Sequence, residues 1–228
     1  MVWEQILDFL REPTTWSGPA SVWARLWEHV WVSVVATLVA VAVVFPLALW
    51  LGHRRRGAEV AGAVVNIGRA VPSFGILVLT VMILLQFGVS VLSVWPVLVA
   101  LIALAAPPVF TNTIAGIQGV APSTVEAARG MGLTEGQLVT RVEMPLASPV
   151  ILEGIRIAFV QVIATATLGA LVAWGGLGRF IVDGFSQQNQ GKVLVGAILV
   201  ALLALFAEVG LTLAQRAATP HGIRPATD

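Results

Sequence analysis

Val120-Ala-Pro-Ser-Thr-Val-Glu-Ala-Ala-Arg-Gly-Met-Gly-Leu-Thr-Glu-Gly-Gln-Leu-Val-Thr-Arg-Val-Glu-Met-Pro145 is a polar island in an apolar chain. Before it, Ala70 to Val125 carries no charge; after it, Ile157 to Gly178 is again uncharged. Of the 228 residues, 57% are hydrophobic and 11% charged, against about 25% charged in an average soluble domain. Such a chain cannot cover its surface with charge, so lipid is the expected solvent. The fold class expected is all-α and polytopic.

A span needs about 20 apolar residues. Working outward, Val30 to Gly52 is the first, and Val193 to Gln215, with Glu208 inside it, is the fifth. The stretch from Ala70 is too long for one span and must turn. Gln86 to Ser93 is its weakest part, so a second span is placed at about Ala61 to Phe87 and a third at about Leu92 to Ile117. Pro72 removes a backbone donor and kinks or breaks the second span, leaving an amphipathic first half and a shorter span from Ser73. Pro107 and Pro108 do the same to the third. The fourth lies in Ile157 to Gly178 and begins near Pro149. His53-Arg54-Arg55-Arg56 between the first two spans is expected on the cytoplasmic side. Five spans then put the N-terminus outside, the loop 120–145 inside and the C-terminus inside. The chain reads as residues 1–29, an interfacial N-terminal segment rich in Trp; residues 30–215, the membrane domain; and residues 216–228, a cytoplasmic tail. The first residues do not read as a cleaved signal peptide, because Glu4 and Asp8 stand where a basic region belongs.

Within the loop, Ser123 followed by Glu126 has capping-box spacing, and so does Thr134 followed by Gln137. Gly132 can take the positive φ that ends one helix before the next begins. Pro145 is expected to stop the second helix. Two short helices about a glycine elbow follow. They either connect two spans and nothing more, or offer a partner a rigid face in which the small Ala127, Ala128 and Gly130 permit close approach.

Glu126-Ala127-Ala128, three residues, Gly132, nine residues, Val142, one residue, Met144-Pro145 resembles the EAA signature of ABC-importer permeases, with Val142 for Ile and Met144 for Leu. Ala70 to Phe74, Pro108 to Gly119 and Thr165 to Gly178 are similar to the permeases that import glycine betaine, choline, carnitine and related osmoprotectants. The resemblance spans about residues 30–210. It implies the type I importer fold. It also implies a second permease subunit, identical or sister, an extracytoplasmic solute-binding protein, and a cytoplasmic ATPase dimer that uses ATP and Mg. Glu126, Ala127, Ala128, Gly132 and Pro145 would then carry coupling, in the bacterial cytoplasmic membrane. A methionine or other small-solute permease is the nearest rival, and an ATP-independent carrier a more distant one.

No residue reads as catalytic. Cysteine is absent, His29, His53 and His221 have no metal-ligand spacing, and the net charge of +1 gives no argument for nucleic acid. Gly191-Lys192 lacks the rest of a phosphate-binding loop, so no cofactor is expected on this chain. Pro72 and Ser73 at the helix break, with Asn112, Thr165 and Thr167, are candidates for the solute path. Polar groups at such depth more commonly bond between helices. Glu153 and Arg156, spaced i,i+3, are expected to pair, with Glu208 within reach. Gly154, Gly169, Gly196 and Gly210 read as close-packing positions, and Gly175 to Gly178 as a turn.

Overall fold

The computed structural model describes residues 2–55 and 58–218; Arg56, the tail beyond residue 218 and the side chain of Arg69 lie outside what it describes. In chain order the helices are α1 (Val2–Arg11), α2 (Pro13–Trp16), α3 (Val22–Arg54), α4 (Ala58–Ala70), α5 (Ser73–Gln86), α6 (Trp95–Gln118), α7 (Pro122–Gly130), α8 (Glu135–Leu138), α9 (Met144–Ala166), α10 (Gly178–Ser186) and α11 (Gln190–Ala218). A π turn, Val139–Glu143, joins α8 to α9, and a 3-10 turn, Thr167–Val172, extends α9. Residues 135–172 thus form one continuous rod.

Among the described residues, four helices are long and apolar enough to cross a membrane: α3, α6, the rod and α11. The fifth expected span is the short apolar α5, whose 14 residues reach about 21 Å at 1.5 Å each, short of a hydrocarbon core of about 30 Å. Its partner α4 stops at Ala70, and Pro72 at the N-cap of α5 marks the break expected there.

Three boundaries differ from the sequence expectation. Helix α3 starts at Val22, eight residues before the apolar run, because the Ser21 side chain accepts from the Ala24 N–H and caps it there. Helix α6 runs unbroken through Pro107 and Pro108. Pro108 cannot donate to the Leu104 carbonyl, and the Gln161 side chain of α9 approaches that oxygen at 3.5 Å instead. Pro145 does not stop a helix. It opens the first turn of α9, and the wider π turn before it, closed by the Met144 N–H on the Val139 carbonyl, makes room for the proline ring.

Lipid offers no hydrophobic drive between helices, so close packing of small residues holds this bundle. Helix α3 buries Ala36, Ala40, Ala48 and Gly52. A Cβ on Gly52 would lie 3.1 Å from that of Ile117 in α6. Gly154 of α9 sits against Pro108 and Asn112 of α6, Gly169 against Val97 and Trp174, and Gly196 against Phe180. Gly210 has open space around it, so the packing role expected for it is not seen. At the end opposite the loop, α1 lies on α11, with Gly191 against Gln5 and Ile6 and the Phe9 ring edge-on to Phe180 at 5.6 Å.

Candidate functional site

The loop between α6 and the rod is built by local chemistry. Pro122 occupies the first turn of α7 and Ala121 the N-cap position, so the helix starts before Ser123 can cap it, and the Ser123–Glu126 box does not form. At the other end Gly132 has φ +89°. Its N–H donates to the Arg129 carbonyl at 3.0 Å, and the Leu133 N–H to Ala128 at 3.3 Å. These two bonds define a left-handed helix terminus. Thr134 then caps α8, the Gln137 side chain returns to the Thr134 N–H at 2.9 Å, and this second box is complete.

The loop holds itself to the bundle by one face. Val125, Ala128 and Leu138 are buried with Ile117, Ala147 and Ile151. Glu126, Ala127, Gly130, Met131 and Gly132 are exposed. Met131, an apolar side chain 75% exposed, stands on that open side. Of the residues singled out in the sequence, Glu126, Ala127 and Gly132 therefore share the open side, Ala128 points inward, and Pro145 stands half-buried at the start of α9.

A charged chain beneath the loop was not legible in the sequence. His53, near the end of α3, places Nδ1 2.6 Å from Glu143 and Nε2 3.1 Å from Glu135. Arg129 of α7 grips Glu135 at 3.0 and 3.1 Å. Glu143 is 1% exposed, and a carboxylate so buried requires such a partner. The Arg55 side chain donates to the Val120 carbonyl at 2.9 Å.

At membrane depth the α4–α5 break opens a groove of about 360 Å³ lined by Ala70 to Ser73, Ile76, Ala103, Leu104, Pro107, Gln161 and Thr165. Pro72, Ser73 and Thr165 therefore meet, as the path reading requires. Asn112 and Thr167 do not join them. The Asn112 amide donates to the Pro108 carbonyl at 2.9 Å and backs Gly154, and the Thr167 hydroxyl donates to Ala164 at 2.7 Å. Both satisfy their polar groups on their own helix. Gln161 is the polar side chain of the lining that the sequence reading missed. Thr165 donates to the Gln161 carbonyl at 2.7 Å, which fixes its hydroxyl at the groove wall.

Between α9 and α11, Arg156 meets Glu153 at 2.6 Å, Glu208 at 3.0 Å and the Thr212 hydroxyl. This is the ion pair the i,i+3 spacing suggested, completed by Glu208. It lies on the α11 side of α9 rather than at the groove. At the far end, Gly175 to Gly178 form a turn held by α3. The Glu28 carboxylate accepts from the Gly176 N–H at 2.8 Å, and His29 Nδ1 accepts from the Leu177 N–H at 3.2 Å. His29 Nε2 must then carry the proton and donate to the Ile163 carbonyl at 2.9 Å. Among the described residues no cluster of His, Cys, Asp or Glu could hold a metal.

A bundle of apolar, membrane-length helices carries at one end a short loop helix whose one face is buried and whose other is open. The chain belongs to the family described as binding-protein-dependent transport system inner membrane component, whose pattern matches residues 44–219. It is thus an inner-membrane permease component and not an enzyme, and its family works with an ATPase and a solute-binding protein. The chain is 38% identical to the carnitine transport permease protein OpuCB of Listeria monocytogenes over 82% of its length and 84% of that protein's. It is 35% identical to the choline transport system permease protein OpuBB of Bacillus subtilis, over 81% and 82%. Its fold matches a chain of the MetNI methionine ABC transporter in an inward-facing conformation, with a TM-score of 0.79 and 22% identity, covering 92% of this chain and 99% of that one.

Proposed function

We propose that this chain is the permease through which an ATP-driven importer moves a quaternary-ammonium osmoprotectant, such as glycine betaine, carnitine or choline. The observation that carries this reading is the 35–38% identity to permeases named for carnitine and choline over four-fifths of the chain. The likeness to a methionine transporter, at 22% identity, supports the fold alone and leaves methionine as the lesser cargo. A carrier working without ATP has no use for the exposed face of α7.

In this reading α7 docks in a cleft of a cytoplasmic ATPase through Glu126, Ala127 and Met131, with Gly132 and Pro145 setting its angle to the rod. ATP and Mg are handled by that ATPase dimer. Orientation follows the arginines near residue 54, so the N-terminus is outside and the C-terminus cytoplasmic. Helices α1 and α2 lie along the outer interface, and Trp3 together with Trp23 and Trp27 in the first turns of α3, each more than 60% exposed, suit the headgroup layer. Two such permeases pair with the groove at Pro72, Ser73, Gln161 and Thr165 facing the solute path. That groove has no aromatic wall, and quaternary amines are held by aromatic faces. Selection therefore rests with the external binding protein, and the groove needs only to let a small polar solute pass.

The test is uptake by proteoliposomes holding this permease with its ATPase and binding protein. Labelled glycine betaine should accumulate saturably and only with internal ATP. Accumulation of methionine without betaine, or of betaine without ATP, would overturn the proposal.

A further inference from the structure

Helix α3 carries two histidines, His29 and His53, separated by 24 residues or about 36 Å of helix rise. Each ties α3 to the same partner. His53 holds Glu143 and Glu135, at the loop end of the rod. His29 holds the Ile163 carbonyl, near the other end, and the Leu177 N–H of the glycine turn that follows. Glu28 adds a second bond to that turn, through Gly176, and is itself held by Arg25 at 2.9 Å.

Between these ends the contact is apolar and built of small groups. Val32, Ala36 and Ala40 share a core with Ala158, Val162 and Ala166. Such contacts are non-directional, and two smooth helices can slide or roll across them at little cost. The end bonds are directional and partly buried: His29 is fully buried, and Glu143 is 1% exposed. A slip of α3 along the rod would strand Glu143 without its partner at one end and the Ile163 carbonyl and Leu177 N–H at the other.

We infer that α3 and the rod from residue 135 to 172 move as one strut, pinned at both ends, and that His29 and His53 are positioning residues that carry a displacement of α7 to the Gly175–Gly178 turn. The inference rests on the importer reading, in which α7 is the driven element. The rod continues from α7 through the locked elbow at Gly132, so a push on α7 enters the rod at Glu135. The inner pin brings α3 along, and the outer pin delivers the movement to the turn. Two membrane helices become one lever, and a lever slack at either end loses stroke.

The experiment uses the reconstituted importer and reads solute molecules moved per ATP hydrolysed. His53→Phe removes both ring nitrogens at the inner pin and should lower this ratio by about tenfold, the size of ordinary coupling between sites. His53→Arg, which offers guanidinium donors to Glu143 and Glu135, should restore most of it. A role in folding alone would lower the amount of assembled complex and leave the ratio unmoved. His29→Gln should lower the ratio as well, and the double variant His29→Gln/His53→Phe should do no more harm than His53→Phe, since one slack end already disables a lever. Independently of any pin variant, spin labels at Arg54→Cys and Arg141→Cys should keep their separation within about 2 Å through the nucleotide cycle, the scale of small helix shifts. An unchanged ratio in assembled His53→Phe, additive losses in the double variant, or a larger change in label distance would each overturn the strut. A wild-type complex that fails to move betaine with ATP would instead overturn the importer reading.

Discussion

Gly132→Val should cut ATP-driven uptake by about tenfold or more while the chain still accumulates in the membrane. Gly132 has φ +89°, a region that costs an L-residue roughly 1–2 kcal/mol and is worst for a β-branched one. That strain is enough to shift a local equilibrium about tenfold. The two bonds that end α7, from Gly132 and Leu133 to Arg129 and Ala128, depend on this φ. Losing them swings α7 relative to the rod and misplaces Glu126 and Ala127. A Cβ at residue 132 meets nothing within 4 Å, so the bundle itself has no cause to unfold. Gly130→Ala, on the same exposed helix with the same open space but no positive φ, is the control for bulk alone. Uptake by Gly132→Val at the wild-type rate, with equal chain in the membrane, would show that the elbow angle does not matter.

Gly154→Leu should have the opposite profile, losing the folded chain rather than its coupling. A Cβ at residue 154 would lie 2.5 Å from the Asn112 Cβ and 2.7 Å from the Pro108 carbonyl oxygen. The first is a side-chain root and the second is backbone, so neither can step aside. Overpacking a tight site costs about 1–3 kcal/mol, and here a leucine must push α9 away from α6, the most buried of the spans. Thermal melting in detergent should fall by at least about 5 °C, or the chain should fail to accumulate. Gly210→Leu, where nothing lies within 4 Å, should melt as the wild type does. Equal melting of Gly154→Leu and Gly210→Leu would contradict the α6–α9 packing.

These two glycines also mark what the sequence could and could not reveal. Gly132 was legible because helix termini are local: a glycine, then Thr134 and Gln137 three apart, specifies an elbow without knowledge of the rest. The break at Pro72 was legible for the same reason. Ser123 and Glu126 had the correct spacing for a cap, yet Pro122 pre-set the backbone one residue earlier and started the helix first. Pro107 and Pro108 suggest a kink or a break and Pro145 a stop, yet α6 continues through its two prolines and Pro145 opens α9. The Gln161 side chain approaches the carbonyl that Pro108 leaves free, and a π turn makes room for Pro145; neither is visible in a linear pattern. Polar residues at depth were equally ambiguous. Thr165, Asn112 and Thr167 all bond their own helix, and only Thr165 stands where the neighbouring helices leave a groove. His29 and His53 looked idle because their partners lie 134 and 90 residues away, beyond the reach of any spacing argument.

The attachment of α7 to a cytoplasmic motor is most directly tested by a membrane-impermeant thiol reagent on Glu126→Cys. The chain has no cysteine of its own, so the engineered one reports alone. Inverted membrane vesicles stripped of peripheral proteins should label at residue 126, and adding back the ATPase should protect it, while intact cells should stay unlabelled. Labelling of residue 126 from outside intact cells, or labelling in vesicles that the ATPase leaves unchanged, would contradict the account.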